Sequence, residues 1–322
     1  MLKNIIRIMY RAMIVCIVTV AIISPLSYAK NIDFSVSEPV KTTIITKLNS
    51  EQQILATKYA FDFVGSTQTW SKEHPENIPK DGWMIVTAKK QFAGVGTGGR
   101  IWHSPAGNIY VTFSRQMPEI RSLTIEQKLR MKQVVALAVV QTLESLGLKP
   151  QIKWSNDVLL NKKKISGVLD EIHDDILTIG IGFNINMNQQ EAMRVNEVCI
   201  GDPNRIPATS LLIEEEREFD MEVIFQELQK NFYINMDLLL NNKFNEFIKQ
   251  IASRLTCKIG DEVTVQPANQ PELNGRFVGL NEYGSAMIGV VGKGVITVDD
   301  GRIALNSSSV LISTSKQPIK DK

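Results

Sequence analysis

The chain has 322 residues, 43% hydrophobic and 22% charged, a balance that supplies a sizeable core and excludes a disordered or fibrous chain. The formal net charge is +2, but Lys3, Arg7 and Arg11 stand at the extreme N-terminus without an acid, and removing them leaves about −1. That excludes a basic nucleic-acid footprint. Three scattered cysteines (Cys16, Cys199, Cys257) and three histidines (His74, His103, His173) lack the spacing of a disulfide framework or a zinc site.

Residues 1–29 have a basic start, the apolar run "AMIVCIVTVAIIS" and small residues at Ser27 and Ala29, the layout of a secretory signal or short anchor. Residues 30–54 are polar and weakly patterned and read as a lead-in. "WMIVTAKK" and "NIYVTFS" read as buried strands. The next segment places Ile125, Leu129, Val135, Val139, Leu143 and Leu146 near one helical face, with Thr124 and Gln127 to cap it and Gly147 and Pro150 to close it. "QIKW", "DVLL", "KKISGVLDEI" and "DILTIGIGFNI" read as strands joined by turns at Asn161-Lys162 and Asp174-Asp175. Such short connections predict an α/β protein with a mixed or largely antiparallel sheet. A helical stretch is expected over roughly 208–250, and after Leu255 five short strand segments predict a small β-barrel.

"QFAGVGTGGRIW" contains G-x-G-x-x-G at Gly94, Gly96 and Gly99, the spacing of a dinucleotide fingerprint. A fingerprint needs a helix to open on the glycines, and here Pro105 and Gly107 interrupt the following window. The nicotinamide or flavin reading therefore fails. What remains is a glycine loop that admits an anion to backbone N–H groups, followed by Arg100 as a phosphate donor and Trp102 as a stacking platform. A plain surface turn explains the glycines equally well. "KWSND" places Lys153, Asn156 and Asp157 at a strand end, and "KKISG" places Lys164 and Gly167 on the next strand. "GIGFNIN" sets Asn184 where an amide can meet a base edge.

The order and spacing of "GR-x-W", "KWSND", "KKISGVL" and "GIGFNIN" resemble those of the biotin protein ligases, over roughly residues 55–315. The resemblance implies a catalytic domain at 55–255 similar to class II aminoacyl-tRNA synthetases, and an SH3-like β-barrel at 256–322. It implies activation of biotin by ATP and magnesium to biotinyl-5′-AMP, then transfer to a lysine of a biotin carboxyl carrier protein. Ser66, Thr67, Gln91, Gly94, Val95 and Gly167 would surround biotin, and Lys164 would hold its carboxylate. Gly96, Thr97, Arg100, Trp102, Asn156 and Asn184 would receive ATP. Lys153 and Asp157 would act near the phosphates, with Asp157 as the magnesium ligand. The family's loop reads GRGRxGR, and this chain has Val95 and Thr97 at two arginine positions, which implies weaker retention of the adenylate. Arg115 or Lys89 would be the compensating cation. A catalytically weakened biotin- or adenylate-binding protein, and a lipoate or octanoate ligase of the same fold, remain as alternatives. An operon repressor is not expected, because no helix-turn-helix fits between the leader and the first strong strand. ATP and carboxylase carriers imply a cytoplasmic working site, whereas the leader leaves membrane association or export open. A homodimer also stays open.

Overall fold

The structure, a computed structural model, describes residues 36–48, 52–118, 120, 123, 125–198, 206–241, 243–268 and 270–306, without the side chains of 125–127, 129 and 198. The leader with Cys16, the capping pair Thr124 and Gln127, and Cys199 lie outside the described residues and side chains.

Eight strands form one mixed sheet: β1 (Val40–Lys47), β2 (Gln53–Val64), β3 (Trp83–Gln91), β4 (Ile109–Gln116), β5 (Gln151–Lys153), β6 (Asp157–Leu160), β7 (Lys163–His173) and β8 (Ile176–Phe183). Their spatial order is β1-β2-β3-β4-β8-β7-β6-β5. Only the β2–β3 pair is parallel. The segment read as a lead-in thus contains an edge strand. Its sequence VKTTIITK is mostly exposed, so it carries no buried-strand signature, and its pairing with β2 defines it.

Strand alternation divides the sheet into two faces. Ile85, Val111, Phe113, Leu177, Ile179, Ile181 and Phe183 point to the main core. There they meet α2 (Ile125–Ser145) and α5 (Met221–Leu240), with Phe113 stacked on Phe232 at 3.9 Å. Helix α2 has Val134 through Val140 all buried, so it is enclosed rather than amphipathic, and Gly147 at φ 81° ends it. On the opposite face, Tyr59, Phe61, Met84 and Val86 form a smaller cluster with Trp70 of α1 (Thr67–Glu73). The remaining helices are α3 (Gln189–Val198), α4 (Leu211–Glu215) and α6 (Asn245–Arg254). The stretch expected to be helical over 208–250 is therefore three helices. Glu216, at φ 54°, stops α4, and Asp220 caps α5 by accepting from the backbone N–H groups of Glu222 and Val223.

The last five strands are β9 (Glu262–Pro267), β10 (Leu273–Leu280), β11 (Ala286–Val290), β12 (Gly294–Val298) and β13 (Gly301–Leu305). They make a five-stranded antiparallel sheet in the order β12-β11-β10-β9-β13. This sheet is tied to the larger part through α2 and through Trp154, just after β5. Lys132 pairs with Asp300 at 2.6 Å, and Gln133 Nε2 and Trp154 Nε1 donate to the Gly284 carbonyl at 2.8 and 3.0 Å. Asp170, also near Lys132, has its carboxyl pushed up from the usual range by burial, which the Lys132 charge only partly offsets.

Candidate active site

The sheet face away from α2 carries a cavity of about 600 Å³. Its floor comes from alternate residues of the central strands: Tyr110 and Thr112 on β4, Gly180 and Gly182 on β8, Gly167 and Leu169 on β7. Lys164 and Gly167 are three apart and would face opposite sides of a regular strand. An irregularity pairs Leu159 with Lys164 and Val158 with Ser166, leaving Ile165 as the extra residue. This bulge turns both Lys164 and Gly167 toward the cavity; a Cβ at Gly167 would lie 3.3 Å from Lys164 Nζ.

The two β8 glycines explain the GIG spacing. A Cβ at Gly180 would stand 2.6 Å from Gln68 Oε1, and one at Gly182 would stand 2.3 Å from Trp102 Cε2. Absent side chains thus leave the floor bare, and Gln68 and Trp102 lie down on it. Gly94 serves another purpose. Its missing Cβ makes room for the Trp102 carbonyl, 2.4 Å from where that carbon would be, as the loop folds back on itself. Trp102 N–H donates to Gly94 O at 2.8 Å, and Gly96 N–H to Arg100 O at 2.7 Å. Gly94 is not among the cavity-lining residues, whereas its neighbours Val95 and Gly96 are. No helix follows Gly99, in keeping with the rejection of a dinucleotide fingerprint; Thr97–Gly99 form one 3-10 turn, with Gly98 at φ 69°.

A first group of polar residues is built around Gln91. Its Oε1 accepts from Thr67 N–H at 2.7 Å and from Thr67 Oγ1 at 3.1 Å, and its Nε2 donates to Ser104 Oγ at 2.8 Å. Ser104 Oγ donates to the Trp102 carbonyl at 2.9 Å. Ser66 caps α1 and is buried beside them. Thr112 Oγ1 lies 2.9 Å from Thr67 Oγ1. Tyr110 donates to the Pro105 carbonyl at 2.7 Å, and burial holds its phenol above the usual range.

A second group is ionic. Lys164 Nζ sits 2.6 Å from Asp157 Oδ1 and 5.2 Å from the centre of the Trp102 ring. The main chain of Lys164 is clamped by the segment before α4: its N–H donates to Pro207 O at 2.7 Å, and its carbonyl accepts from Thr209 N–H at 2.9 Å. Lys153, paired with Asp157 across β5–β6, also lines the cavity. At the loop, Arg100 Nε donates to Thr97 O at 2.8 Å, and Asn156 Nδ2 donates to Thr97 Oγ1 at 3.2 Å and Val168 O at 2.7 Å. Asn184 lines the cavity with one amide hydrogen committed to Thr209 O at 2.8 Å.

The lining thus holds Arg100, Lys153, Lys164 and Arg302 against one carboxylate, Asp157, which suits an anionic ligand. Arg302 comes from β13, a contribution invisible in sequence because Arg302 lies 138 residues beyond Lys164. Gln68, Thr112 and Ser104 were also missed; lone polar residues in strands and helix starts carry no motif. Arg115 and Lys89 do not line the cavity. Arg115 lies over Trp83 on the core face, and Lys89 pairs with Asp62 at 2.7 Å on the surface. Among the described residues no three His, Cys, Asp or Glu side chains form a metal cluster. Asp157 is a single carboxylate engaged by Lys164, a donor set that does not fit a protein-held magnesium ion.

Residues 60–187 match the model of the biotin/lipoate A/B protein ligase family. A bifunctional ligase/repressor BirA of Bacillus spizizenii is 37% identical over 134 residues, 40% of each chain. That of Bacillus subtilis is 30% identical over 248 residues, 74% of this chain and 68% of its own length. The biotin–[acetyl-CoA-carboxylase] ligase of Paracoccus denitrificans is 28% identical, covering 66% of this chain and 86% of its own. The structure of a biotin protein ligase from Aquifex aeolicus in complex with biotin and ATP aligns with a TM-score of 0.63 at 28% identity, over 77% of this chain and 98% of that one. The chain belongs to the biotin protein ligase family, and its α/β fold with a mixed sheet is the fold of these enzymes.

Proposed function

We propose that the chain is an ATP-dependent biotin protein ligase. The observation that carries this reading is one cavity uniting the Ser66–Thr67–Gln91 hydrogen-bonding group with the Lys164–Asp157 pair. A cyclic urea offers two N–H donors and one carbonyl acceptor. The Ser66 and Thr67 hydroxyl oxygens supply acceptors, and the second Nε2 hydrogen of Gln91 supplies a donor. The biotin acyl chain then runs along the outer face of Trp102, whose ring covers Gly167 and Gly182, bringing its carboxylate to Lys164.

A carboxylate oxygen attacks the α-phosphorus of ATP, the bond to the bridging oxygen breaks, and pyrophosphate leaves. An anion meets a polyanion here, so the chain's work is neutralisation and alignment. Lys164, steered by Asp157, balances charge at the carboxylate. Lys153, Arg100 and Arg302 face the phosphates, with Asn156 holding the loop through Thr97. Magnesium enters with ATP as part of the substrate. A carrier lysine amine then attacks the acyl carbon, loses a proton, and AMP departs. Trp102 is already engaged on the sheet glycines, so it forms the acyl-chain wall more directly than an adenine platform. Asn184 stays the candidate for the adenine edge. With Val95 and Thr97 in place of arginines, retention of the adenylate rests on Arg100.

In this reading the partner is a biotin carboxyl carrier of a biotin-dependent carboxylase, as the Paracoccus relative's name supports. The catalytic part spans 55–255 in the manner of class II aminoacyl-tRNA synthetases, and 256–322 forms an SH3-like module. No helix among the described residues is long and apolar enough to cross a membrane, and the supply of ATP and carrier argues for a cytoplasmic working site. The test is biotin-dependent ATP–pyrophosphate exchange, and transfer to an apo carrier domain, by the purified chain. Lys164→Ala lowers exchange by about 100-fold or more. Exchange driven by lipoate or octanoate but not biotin, or biotin binding without exchange, refutes the proposal.

A further inference from the structure

The polar group around Gln91 continues past Thr67 to a carboxylate. Gln68 Nε2 lies 2.8 Å from Glu171 Oε2 and 3.4 Å from the Thr178 carbonyl. Glu171 in turn pairs with Lys72 at 2.9 Å. A carboxylate in an ion pair and a carbonyl both only accept, so they fix which way the Gln68 amide faces. Its Oε1 must then point to Thr112 Oγ1, 3.3 Å away, with the bare Gly180 beneath it.

Thr112 has one proton and two oxygens within reach, Gln68 Oε1 and Thr67 Oγ1. No other donor to Gln68 Oε1 stands among the described residues. Leaving that buried oxygen unpaired is costly, so the Thr112 proton belongs there. The Thr67 proton is then drawn inward, to Thr112 Oγ1 or Gln91 Oε1, and the remaining lone pairs of Thr67 turn to the cavity.

We propose that Glu171 and Gln68 are positioning residues: together they orient the Thr112 and Thr67 hydroxyls so that Thr67 accepts a ring N–H of the ligand. The assignment rests on the ligase reading and adds to it how the ureido group is told from a ring without N–H donors. Neither residue belongs to a recognisable motif, because the relay joins α1, β4 and β7.

The test compares Glu171→Gln, Gln68→Met and Lys72→Ala with the unaltered chain, measuring exchange kinetics and thermal unfolding. The E171Q side chain donates as well as accepts, so the amide of Gln68 loses its fixed sense. The expected result is a KM for biotin, and for desthiobiotin with the same ureido ring, raised about tenfold by Glu171→Gln and Gln68→Met. The kcat and the KM for ATP stay unchanged, the unfolding midpoint falls only by the loss of buried hydrogen bonds at Gln68, and Lys72→Ala, which leaves the acceptor in place, behaves as the unaltered chain. Folded Glu171→Gln and Gln68→Met proteins with an unchanged biotin KM overturn the proposal, as does an equal rise in the KM for ATP. If the unaltered chain shows no biotin-dependent exchange, the ligase reading itself fails, an outcome distinct from normal exchange that is insensitive to Glu171.

Discussion

Replacing Gly182 by alanine tests the idea that the β8 glycines exist to let Trp102 lie on the sheet. The new Cβ would meet ring atoms Cε2, Cζ2 and Nε1 at 2.3, 2.5 and 2.5 Å, where ordinary contact starts at 3.4 Å. The ring must retreat by about 1 Å. The sheet blocks inward movement, so it moves out into the space assigned to the acyl chain. Forcing an extra methyl into a packed site costs about 1–3 kcal/mol, or roughly 5- to 150-fold if the cost falls on ligand binding. The expected outcome is a biotin KM raised within that range, with a smaller loss of thermal stability because the half-buried ring has room to yield. Exchange kinetics and thermal unfolding measure both. A double-mutant cycle isolates the cause: in a Trp102→Ala background, Gly182→Ala becomes nearly silent. An equal penalty with and without the Trp102 ring refutes the reasoning.

Arg302→Ala tests whether the C-terminal sheet completes the phosphate end of the cavity. Losing one charge-assisted contact raises the KM for ATP about tenfold and leaves the KM for biotin unchanged, as read by exchange kinetics at varied ATP. Glu214 addresses pH. Burial pushes its carboxyl up, but hydrogen bonds from Thr209, Asn161 and Lys163 outweigh this and hold it below the usual range. A lowered folded value means stabilisation present above the ordinary carboxylate range and lost as pH falls through the folded value. Glu214→Gln therefore destabilises by about 1–2 kcal/mol at pH 7, and denaturant titrations converge with those of the unaltered chain in acid; a difference that persists at low pH contradicts the assignment.

The strands carrying the site were legible because their apolar residues alternate. Val111–Phe113 and Leu177–Ile179–Ile181–Phe183 mark the core face, which leaves the intervening residues to the cavity. Turn chemistry was legible too: Asn161, Lys162 and Asp174 take positive φ at the hairpin turns where the sequence placed them. Edge strand β1 was not legible, because only Ile44 and Thr46 of one face are partly covered, too little for a hydrophobic period, and its pairing with β2 defines it.

Local sequence alone determined that the glycine loop could not open a helix, since Pro105 and Gly107 act on their own neighbours. It also set Lys153, Asn156, Asp157, Lys164 and Gly167 within two successive hairpins, β5–β6 and β6–β7, where short connections restrict what can be far apart. Tertiary structure decided which glycines face a ligand and which face the chain, as Gly94 against the Trp102 carbonyl illustrates. It also brought Gln68 and Arg302 to the cavity and set Glu171 behind Gln68. Such contacts join residues distant in the chain, and side-chain reach across a folded sheet is set by register and bulges that no short window of sequence records.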